Sequence, residues 1–277
     1  MAIDLVTQFL PYVDKKFTQE SKKTLLTNNE FNWTGAHSVK VYKVSTAGMN
    51  DYDRSGTGAT ASRYGTLQSL DAVTEEFTLK KDRSFTFAID KLDTDETGQQ
   101  LKAATALERQ IREVIIPEVD KYTYSVMCEK AGTIPEAVEL TADNIYTEIL
   151  NANQVLDDSD VPETERVLMV TPAVYMLLKK CRDITMETDI GNDMRLKGVI
   201  GMLDGCTVIK IPANRLPENF GFMVAHPCAT VAPTKLEDYR MHEDPPGISG
   251  SLVEGRICYD AFVLDNKAKA IYYQELA

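Results

Sequence analysis

Residues 101–131, with the sequence LKAATALERQIREVIIPEVDKYTYSVMCEKA, contain the longest periodic pattern in the chain. Apolar side chains recur there every three or four positions, which places them on one face of an α-helix. Pro117 lies within the series, and because the periodicity continues beyond it we expect Pro117 to kink the helix rather than end it. The apolar positions are Leu101, Ala104, Leu107, Ile111, Val114, Ile115, Val119, Tyr122 and Val126.

Both ends of this helix have recognisable signals. The run Asp93-Thr94-Asp95-Glu96 supplies an N-cap with a capping-box acid and places negative charge at the helix N-terminus. Gly132 is well placed to stop the helix. The sequence therefore predicts one helix from about residue 94 to 131, which would be about 57 Å long.

The chain before the helix is predicted to be a long β-hairpin region. Side chains alternate in character over Ser38–Val44, which favours a strand, and strands are also expected at Glu75–Lys80 and Ser84–Asp90 with a tight connection at Lys81-Asp82. Residues 47–65 between them hold four glycines and almost no large aliphatic residues. A polar loop of this length is uncommon in a compact domain, and we interpret it as a functional, mobile tip.

Residues 1–35 are predicted to form an arm. A short amphipathic helix is expected near the start, followed by a polar stretch and the pair Phe31 and Trp33. A detached segment of this size could not bury the only tryptophan of the chain. Trp33 is therefore expected either to fold back on the body of its own chain or to dock on a neighbouring subunit.

The C-terminal half alternates helix and strand patterns. Asp143 is the expected cap of a helix through Ile149, followed by a polar connector at 151–165 and a polar loop at 183–197. Thr171-Pro172 combines an N-cap with proline at the first helical position. The expected strands are Arg166–Val170, Cys206–Ile211, Phe220–Ala225, Thr234–His242, Ile257–Leu264 and Ala268–Tyr273.

Composition excludes several classes of protein. The 42 acidic residues exceed the 30 Lys and Arg residues, so the formal charge is −12, which argues against a protein that grips nucleic acid by neutralising phosphates. The hydrophobic fraction of 43% excludes global disorder. The five cysteines are widely spaced without a C-x-x-C motif, the N-terminus lacks signal-peptide features, and no apolar run approaches a membrane span. These features indicate a protein of a reducing, cytoplasmic environment.

No catalytic, cofactor-binding or metal-binding constellation emerges from the motifs. His226-Pro227-Cys228 is the closest approach to a zinc site or a Cys-His nucleophile pair, but the other histidines are remote and a buried structural role is favoured. The glycine-rich stretches lack the pattern of phosphate-binding loops. Arg54 and Arg63 are the only basic residues of the 47–65 loop, and they are either solvated residues or partners for carboxylates on a neighbouring subunit.

The order of these segments resembles the major capsid proteins of tailed bacteriophages, which have the Hong Kong 97-type fold. Residues 101–131 look like the spine helix of that family. Arg166–Leu178 is similar to its strand and T-P-initiated helix, and Gly201–Lys210 to its G-x-l-x-G-x-x-V turn and strand. Gly255–Leu264 resembles its last strands. The resemblance covers nearly the whole chain and implies an α+β fold with an N-terminal arm, an extended β-hairpin loop, a spine helix, and peripheral and axial domains.

The resemblance also implies an organisation and a function. Residues 1–35 would be the arm and 36–90 the extended loop reaching over a neighbouring subunit. Residues 91–140 with 223–277 would form the peripheral domain, and 141–222 the axial domain. The protein would be a non-enzymatic subunit without cofactors, forming pentamers and hexamers of a virion shell around double-stranded DNA without sequence-specific binding. Trp33, Arg54 and Arg63 are the candidate contacts between subunits.

Two departures from the family prototype refine these expectations. The prototype cross-links a loop lysine to a neighbouring subunit, whereas residues 45–66 contain no lysine, so no isopeptide cross-link is expected. The chain begins almost directly with the arm, so a separate scaffolding protein is expected beside the portal, with assembly in the host bacterial cytoplasm. The alternatives are an encapsulin-type nanocompartment shell and a cytosolic enzyme using His226 and Cys228.

Overall fold

The computed structural model contains two compact units, residues 33–79 and residues 1–32 together with 80–277. Trp33, most of the arm and all of the predicted loop at 183–197 except Ile184 lie outside the described residues. The structure describes residues 21–28, 38–44, 47–56, 62–66, 69, 72–96, 103–181, 184 and 201–277.

The described part of the chain contains twelve strands and five α-helices. The strands are β1 Ser38–Val44, β2 Ala72–Thr78, β3 Lys81–Asp90, β4 Val167–Val170, β5 Met202–Leu203, β6 Cys206–Lys210, β7 Phe220–Ala225, β8 Thr230–Val231, β9 Thr234–Glu243, β10 Gly250–Tyr259, β11 Phe262–Val263 and β12 Ile271–Glu275. The helices are α1 Lys91–Glu96, α2 Ala103–Gln110, α3 Ile116–Glu129, α4 Ile145–Asp157 and α5 Pro172–Lys180. Short 3₁₀ helices span Lys23–Leu25, Ala213–Arg215, Pro227–Ala229 and Asp265–Ala270.

The smaller unit is built on a β-hairpin. Strands β1 and β2 pair antiparallel over seven residues each, with Ser38 opposite Thr78 and Val44 opposite Ala72. The predicted strand at Ser38–Val44 is confirmed, and the second strand begins three residues earlier than predicted. The predicted tight connection at Lys81-Asp82 is wrong. Both residues lie in β3, where they pair with Tyr259 and Cys258 of β10, because this long-range register competes successfully with a local turn.

The predicted long helix is continuous from Ala103 to Glu129. Helix α2 passes into one π-helical turn at Ile111–Ile115, and α3 follows directly. The Ile116 N–H donates to the Ile111 carbonyl, a five-residue spacing, immediately before Pro117. Because proline has no N–H and its ring collides with the carbonyl four residues earlier, a wider turn at this point lets the helix pass through Pro117 without ending.

The ends of the helical region differ from the predicted ones. The chain enters α1 directly from β3, and the Asp90 carboxylate accepts a hydrogen bond from the Leu92 N–H at 2.8 Å, so the cap lies three residues before Asp93. Gly132 lies just beyond α3, and its backbone closely approaches another segment. A Cβ at this position would come within 2.5 Å of the Ala268 carbonyl group, which explains the glycine.

A three-stranded antiparallel sheet, β3-β10-β9, packs against the long helix. Ile115 and Val119 of the helical region contact Ile257 and Tyr259 of β10. Burying side chains of this size contributes about 1.5–3 kcal/mol each. The sheet and the helix therefore share one apolar core. Buried and more exposed side chains alternate along the C-terminal part of β10, as expected for a strand with one face on this core.

A five-stranded sheet of order β12-β7-β4-β6-β5 forms the centre of the larger unit. Only β4 and β6 are parallel, and all four residues of β4 are buried. Leu168 and Val170 face α4 and α5 on one side, whereas Val167 and Met169 face Tyr124 and Met127 of α3 on the other side. A strand covered on both faces must be apolar throughout, which is why the run Val167–Val170 has no alternation.

Three predictions in this region have different outcomes. The Thr171 hydroxyl accepts a hydrogen bond from the Val174 N–H and Pro172 opens α5, as predicted. The predicted polar connector at 151–165 is wrong in its first half, since α4 continues to Asp157 and buries Ala152 and Leu156. Asn144, rather than Asp143, is the residue preceding the first turn of α4.

No helix in the described part of the chain is both long and apolar enough to span a membrane.

Candidate assembly sites

The described residues of the loop in the smaller unit, 47–56 and 62–66, are joined by hydrogen bonds and an aromatic contact. The Asp53 N–H donates to the Arg63 carbonyl at 2.9 Å, and the Asn50 amide donates to the Tyr64 carbonyl at 3.4 Å. The Tyr52 and Tyr64 rings pack edge to face with centroids 5.0 Å apart. These contacts hold the two sides of the loop together without a hydrophobic core.

A second set of contacts shapes the turn around Arg54. The Asp53 carboxylate accepts hydrogen bonds from the Ser55 N–H at 2.9 Å, the Ser55 hydroxyl at 2.7 Å and the Gly56 N–H at 3.0 Å. Gly56 has φ +66°, and a Cβ there would lie 3.4 Å from the Arg63 guanidinium. The sequence therefore uses aspartate and glycine, two common turn residues, to place Arg54 and Arg63 on one turn.

The surface of this loop has the composition of a protein interface. Met49, Tyr52 and Tyr64 are exposed by 102%, 52% and 78%, and both arginines are exposed. Tyrosine, arginine and methionine are enriched where proteins bind one another. The sequence indicated the two arginines as contact candidates but not Met49, Tyr52 and Tyr64. Their presence in a polar, glycine-rich stretch could have indicated an interface.

The segment at residues 21–28, which we call the arm segment, lies on the larger unit. Leu26 is fully buried within the core formed by Tyr124 and Met127. The Asn28 N–H donates to the Thr230 carbonyl at 2.7 Å, and the Thr27 hydroxyl donates back to the Lys23 carbonyl at 3.0 Å. This part of the predicted arm therefore packs on the body of its own chain, whereas the two alternatives for Trp33 stay open.

A buried ion pair anchors the arm segment. Asp120 of α3 and Arg215 are 1% and 5% exposed at the side chain, and the guanidinium donates to the carboxylate at 2.8 Å. The Ser21 hydroxyl donates to the other carboxylate oxygen at 2.6 Å. Burial raises the pKa of Asp120 although Ser21, Arg215 and Lys23 all favour its charge, and burial lowers the pKa of Lys23. The charges are thus held here at a cost in desolvation.

The residues proposed for an enzyme lack the arrangement of a nucleophile pair. His226 is buried, and its Nδ1 accepts a hydrogen bond from the Cys228 N–H at 3.1 Å. Burial lowers the pKa of His226 and raises the pKa of the Cys228 thiol. A neutral imidazole that is occupied by a backbone N–H does not activate a protonated thiol, so the geometry is that of a 3₁₀ helix cap.

Within the described ranges, no cluster of three or more His, Cys, Asp or Glu side chains is arranged to hold a metal ion. All five cysteines carry free thiols, and Cys128, Cys181 and Cys206 are buried. Burial raises the pKa of the Cys128 thiol to about 12. Inert buried thiols of this kind act as small apolar side chains.

No protein family model matches the sequence, and no curated protein is detectably similar to it. Solved structures, in contrast, match nearly the whole chain. A structure from Mycobacterium phage Che8 has a TM-score of 0.77 at 18% identity and covers 98% of this chain and 96% of its own. The capsid structure of cyanophage P-SCSP1u has a TM-score of 0.79 at 14% identity, covering 98% and 93%. The virus-like particle from Pyrococcus furiosus has a TM-score of 0.58 at 12% identity, covering 93% of each chain.

These similarities define the class of fold. The chain has the mixed helix and sheet architecture of phage capsid structures, the Hong Kong 97-type fold, as the sequence predicted. The described residues contribute the β1–β2 hairpin, the long helix and the five-stranded sheet to this fold. The predicted limits of the arm, loop, peripheral and axial domains stay predictions, as do the roles of Trp33, Arg54 and Arg63.

Proposed function

We propose that this chain is the major capsid protein of a tailed bacteriophage. Copies of it would assemble as pentamers and hexamers into the icosahedral shell that encloses packaged double-stranded DNA. The observation that carries the proposal is the fold similarity to phage structures. The similarity covers 98% of this chain and 93–96% of the phage chains. The shell subunit would use no catalytic residue and no cofactor.

Assembly would depend on contacts between different surfaces of neighbouring subunits. Contacts of this heterologous kind generate closed rings. The exposed loop turn with Met49, Tyr52 and Tyr64 offers apolar area, and Arg54 and Arg63 offer positive charge to a chain whose net charge is −12. We therefore assign this turn to the contact with a neighbouring subunit, with Trp33 as a further candidate.

The acidic composition suits an enclosing wall. A net charge of −12 would disfavour adhesion of packaged DNA to the shell, because like charges repel over the Debye length. The DNA would be enclosed without sequence-specific binding. A separate scaffolding protein and a portal would be the other partners, and the virion capsid would be the final location after assembly in the bacterial cytoplasm.

Electron microscopy of the expressed full chain, with and without the scaffolding protein of the same phage, tests the proposal. We expect closed particles, and chains that stay dispersed under both conditions would contradict it. The double variant Arg54→Ala/Arg63→Ala should reduce particle yield by about tenfold or more, since loss of an interface arginine costs about 1–2 kcal/mol at every contact. Arg240→Ala, at an exposed arginine of the larger unit, is the matched control and should assemble normally.

An encapsulin-type nanocompartment is the second candidate, because the Pyrococcus furiosus particle shares the fold at the lower TM-score of 0.58. Particles that enclose a protein cargo instead of DNA would favour it. An enzyme using His226 and Cys228 is opposed by the occupied Nδ1 and the raised thiol pKa. His226→Gln and Cys228→Ser should therefore assemble like the unaltered chain.

A further inference from the structure

Strand β9, Thr234–Glu243, is a long edge of the three-stranded sheet. It pairs with β10 on one side, and in the described part of the chain no strand lies on its other side. The register with β10 is unbroken from Leu236 to Glu243, so this stretch has no bulge that would turn the edge away from a partner. An edge of this length presents a row of main-chain N–H and C=O groups to any strand that approaches it.

The side chains of β9 restrict which strand can pair with it. Asp238 and Arg240 form an ion pair on one face, where the guanidinium lies 2.8 Å from the carboxylate, and the two side chains are 41% and 66% exposed. Charges on an edge strand ordinarily block pairing, because most approaching strands would place apolar or like-charged residues against them. The edge therefore admits only a partner whose charges are complementary to its own.

A second copy of β9 is complementary in one antiparallel register. Two identical antiparallel strands are related by a two-fold axis perpendicular to the sheet, so the residue on that axis defines the register. With Tyr239 on the axis, Asp238 of each copy lies opposite Arg240 of the other. With Glu237, Asp238 or Arg240 on the axis, that charged residue lies opposite itself. Opposite charges across a strand pair contribute about 0.2–1 kcal/mol and like charges destabilise, so the charges select the register centred on Tyr239.

The other face of β9 supports the same register. Met241 is 51% exposed, and Tyr239 is half-buried beside Phe85, with ring centroids 6.1 Å apart. In the register centred on Tyr239, Met241 of one copy lies diagonally across from Tyr239 of the other, a separation that an aromatic ring and a thioether can close. Pairing therefore covers an exposed apolar side chain in each copy.

We propose that β9 pairs antiparallel with β9 of a second copy of this chain, over residues 235–243, across a two-fold axis at Tyr239. Main-chain hydrogen bonds supply the affinity, and the charges select the register. An exposed ion pair contributes less than about 1 kcal/mol, so Arg240→Ala should still assemble while its register becomes less selective. In the proposed shell this contact joins chains of different rings. That use rests on the proposed function, whereas the pairing itself does not.

Cysteine cross-linking of full-length variants tests the pairing and its register. Opposite residues of antiparallel strands have Cα atoms about 4.5–5.5 Å apart, within reach of a disulfide. On oxidation with copper phenanthroline, Tyr239→Cys should form at least about tenfold more disulfide-linked dimer than the unaltered chain, because pairing concentrates the two thiols. Met241→Cys is the matched control on the same face. Its two thiols lie four positions out of register, about 14 Å apart, and should stay at the background although the position is exposed.

A second pair of variants tests the same register without changing Tyr239. Glu237 and Met241 lie opposite each other across the proposed axis, so an equal mixture of Glu237→Cys and ¹⁵N-labelled Met241→Cys should form mixed-isotope dimers. Circular dichroism confirms that each variant is folded. If Tyr239→Cys is not folded, this mixture decides the proposal.

The remaining outcomes are each decisive. Linkage of Met241→Cys to itself in place of Tyr239→Cys would overturn the register. Linkage of the Tyr239→Cys thiol to a native cysteine of another copy would show that a different surface covers this edge and would overturn the pairing. Folded variants that form no dimer above background, in particles or dispersed at about 1 mM, would overturn it too. Cross-linking of the dispersed chain without particles would support the pairing and contradict only the shell function, so the two failures are distinguishable.

Discussion

The ion pair between Asp120 and Arg215 yields the sharpest energetic prediction. Both side chains are almost completely buried and lie 2.8 Å apart, and Ser21 supplies the other hydrogen bond to the carboxylate. Asp120→Asn keeps the shape and one acceptor oxygen, which can still accept from Arg215, and its NH2 can donate to the Ser21 hydroxyl, but the buried guanidinium is left without its counter-ion. Arg215→Met keeps most of the volume but leaves a buried carboxylate. Each single change removes one partner of a desolvated pair.

The expected magnitudes follow from that burial. Each single variant should lose about 3–5 kcal/mol of the free energy of unfolding, because an uncompensated buried charge remains. The double variant should lie within about 1 kcal/mol of the unaltered protein, since the raised pKa of Asp120 indicates that desolvation outweighs the attraction to Arg215. A carboxyl whose folded-state pKa is raised binds its proton more tightly in the folded state. The stability advantage of the unaltered chain over the double variant should therefore fall as pH rises through that pKa and then level off.

Urea denaturation of the dispersed full chain measures these changes, with sedimentation velocity confirming that no assembly contributes to stability. Ser21→Ala is a useful control, because it removes one hydrogen bond and no charge and should cost about 1 kcal/mol. Single variants that lose less than about 1 kcal/mol would refute the reasoning. A double variant as unstable as the weaker single variant would refute it too, since it would show that shape and not charge holds this site.

Two further predictions concern close packing and thiol burial. Gly132→Ala should cost about 2–3 kcal/mol in urea denaturation, because the added Cβ would lie 2.5 Å from the Ala268 carbonyl and 2.6 Å from the Lys269 nitrogen, whereas Gly201→Ala has open space and should cost little. A shared loss at both glycines would instead indicate a backbone effect. Cys128, with a thiol pKa near 12 through burial, should resist iodoacetamide at pH 8 until the chain is unfolded, as mass spectrometry of its peptide would show, and rapid labelling of the native chain would contradict the packing of α3.

Apolar spacing and local caps explain how much of the fold was predictable. Phe220–Ala225 was predicted with the observed limits, and the Thr171-Pro172 start of α5 was confirmed. These features depend on residues within one turn or one strand of each other. Helix α4 was predicted too short because its second half is polar in composition, although Ile149, Ala152 and Leu156 keep helical spacing and are all buried.

The rest required information that local patterns do not contain. Lys81-Asp82 has the composition of a turn but is held in β3 by pairing with β10, more than 170 positions away. Pro117 was correctly expected to lie inside a helix, yet the π-helical turn that accommodates it has no sequence signature of its own.

The candidate assembly sites share one physical property that explains why the sequence indicated them only in part. The loop turn and the arm segment both depend in part on polar contacts, Asp53 to Ser55 in the first and Ser21 to Asp120 in the second. A core position must be apolar, so its spacing is visible in the sequence, but a polar residue that anchors a segment has the same composition as one that faces water. The loop was recognisable because it lacks a core, which is itself a pattern. The ion pair that anchors the arm segment was not recognisable, because its carboxylate and its guanidinium lie 95 positions apart in the sequence and form a pair only when the fold buries them together.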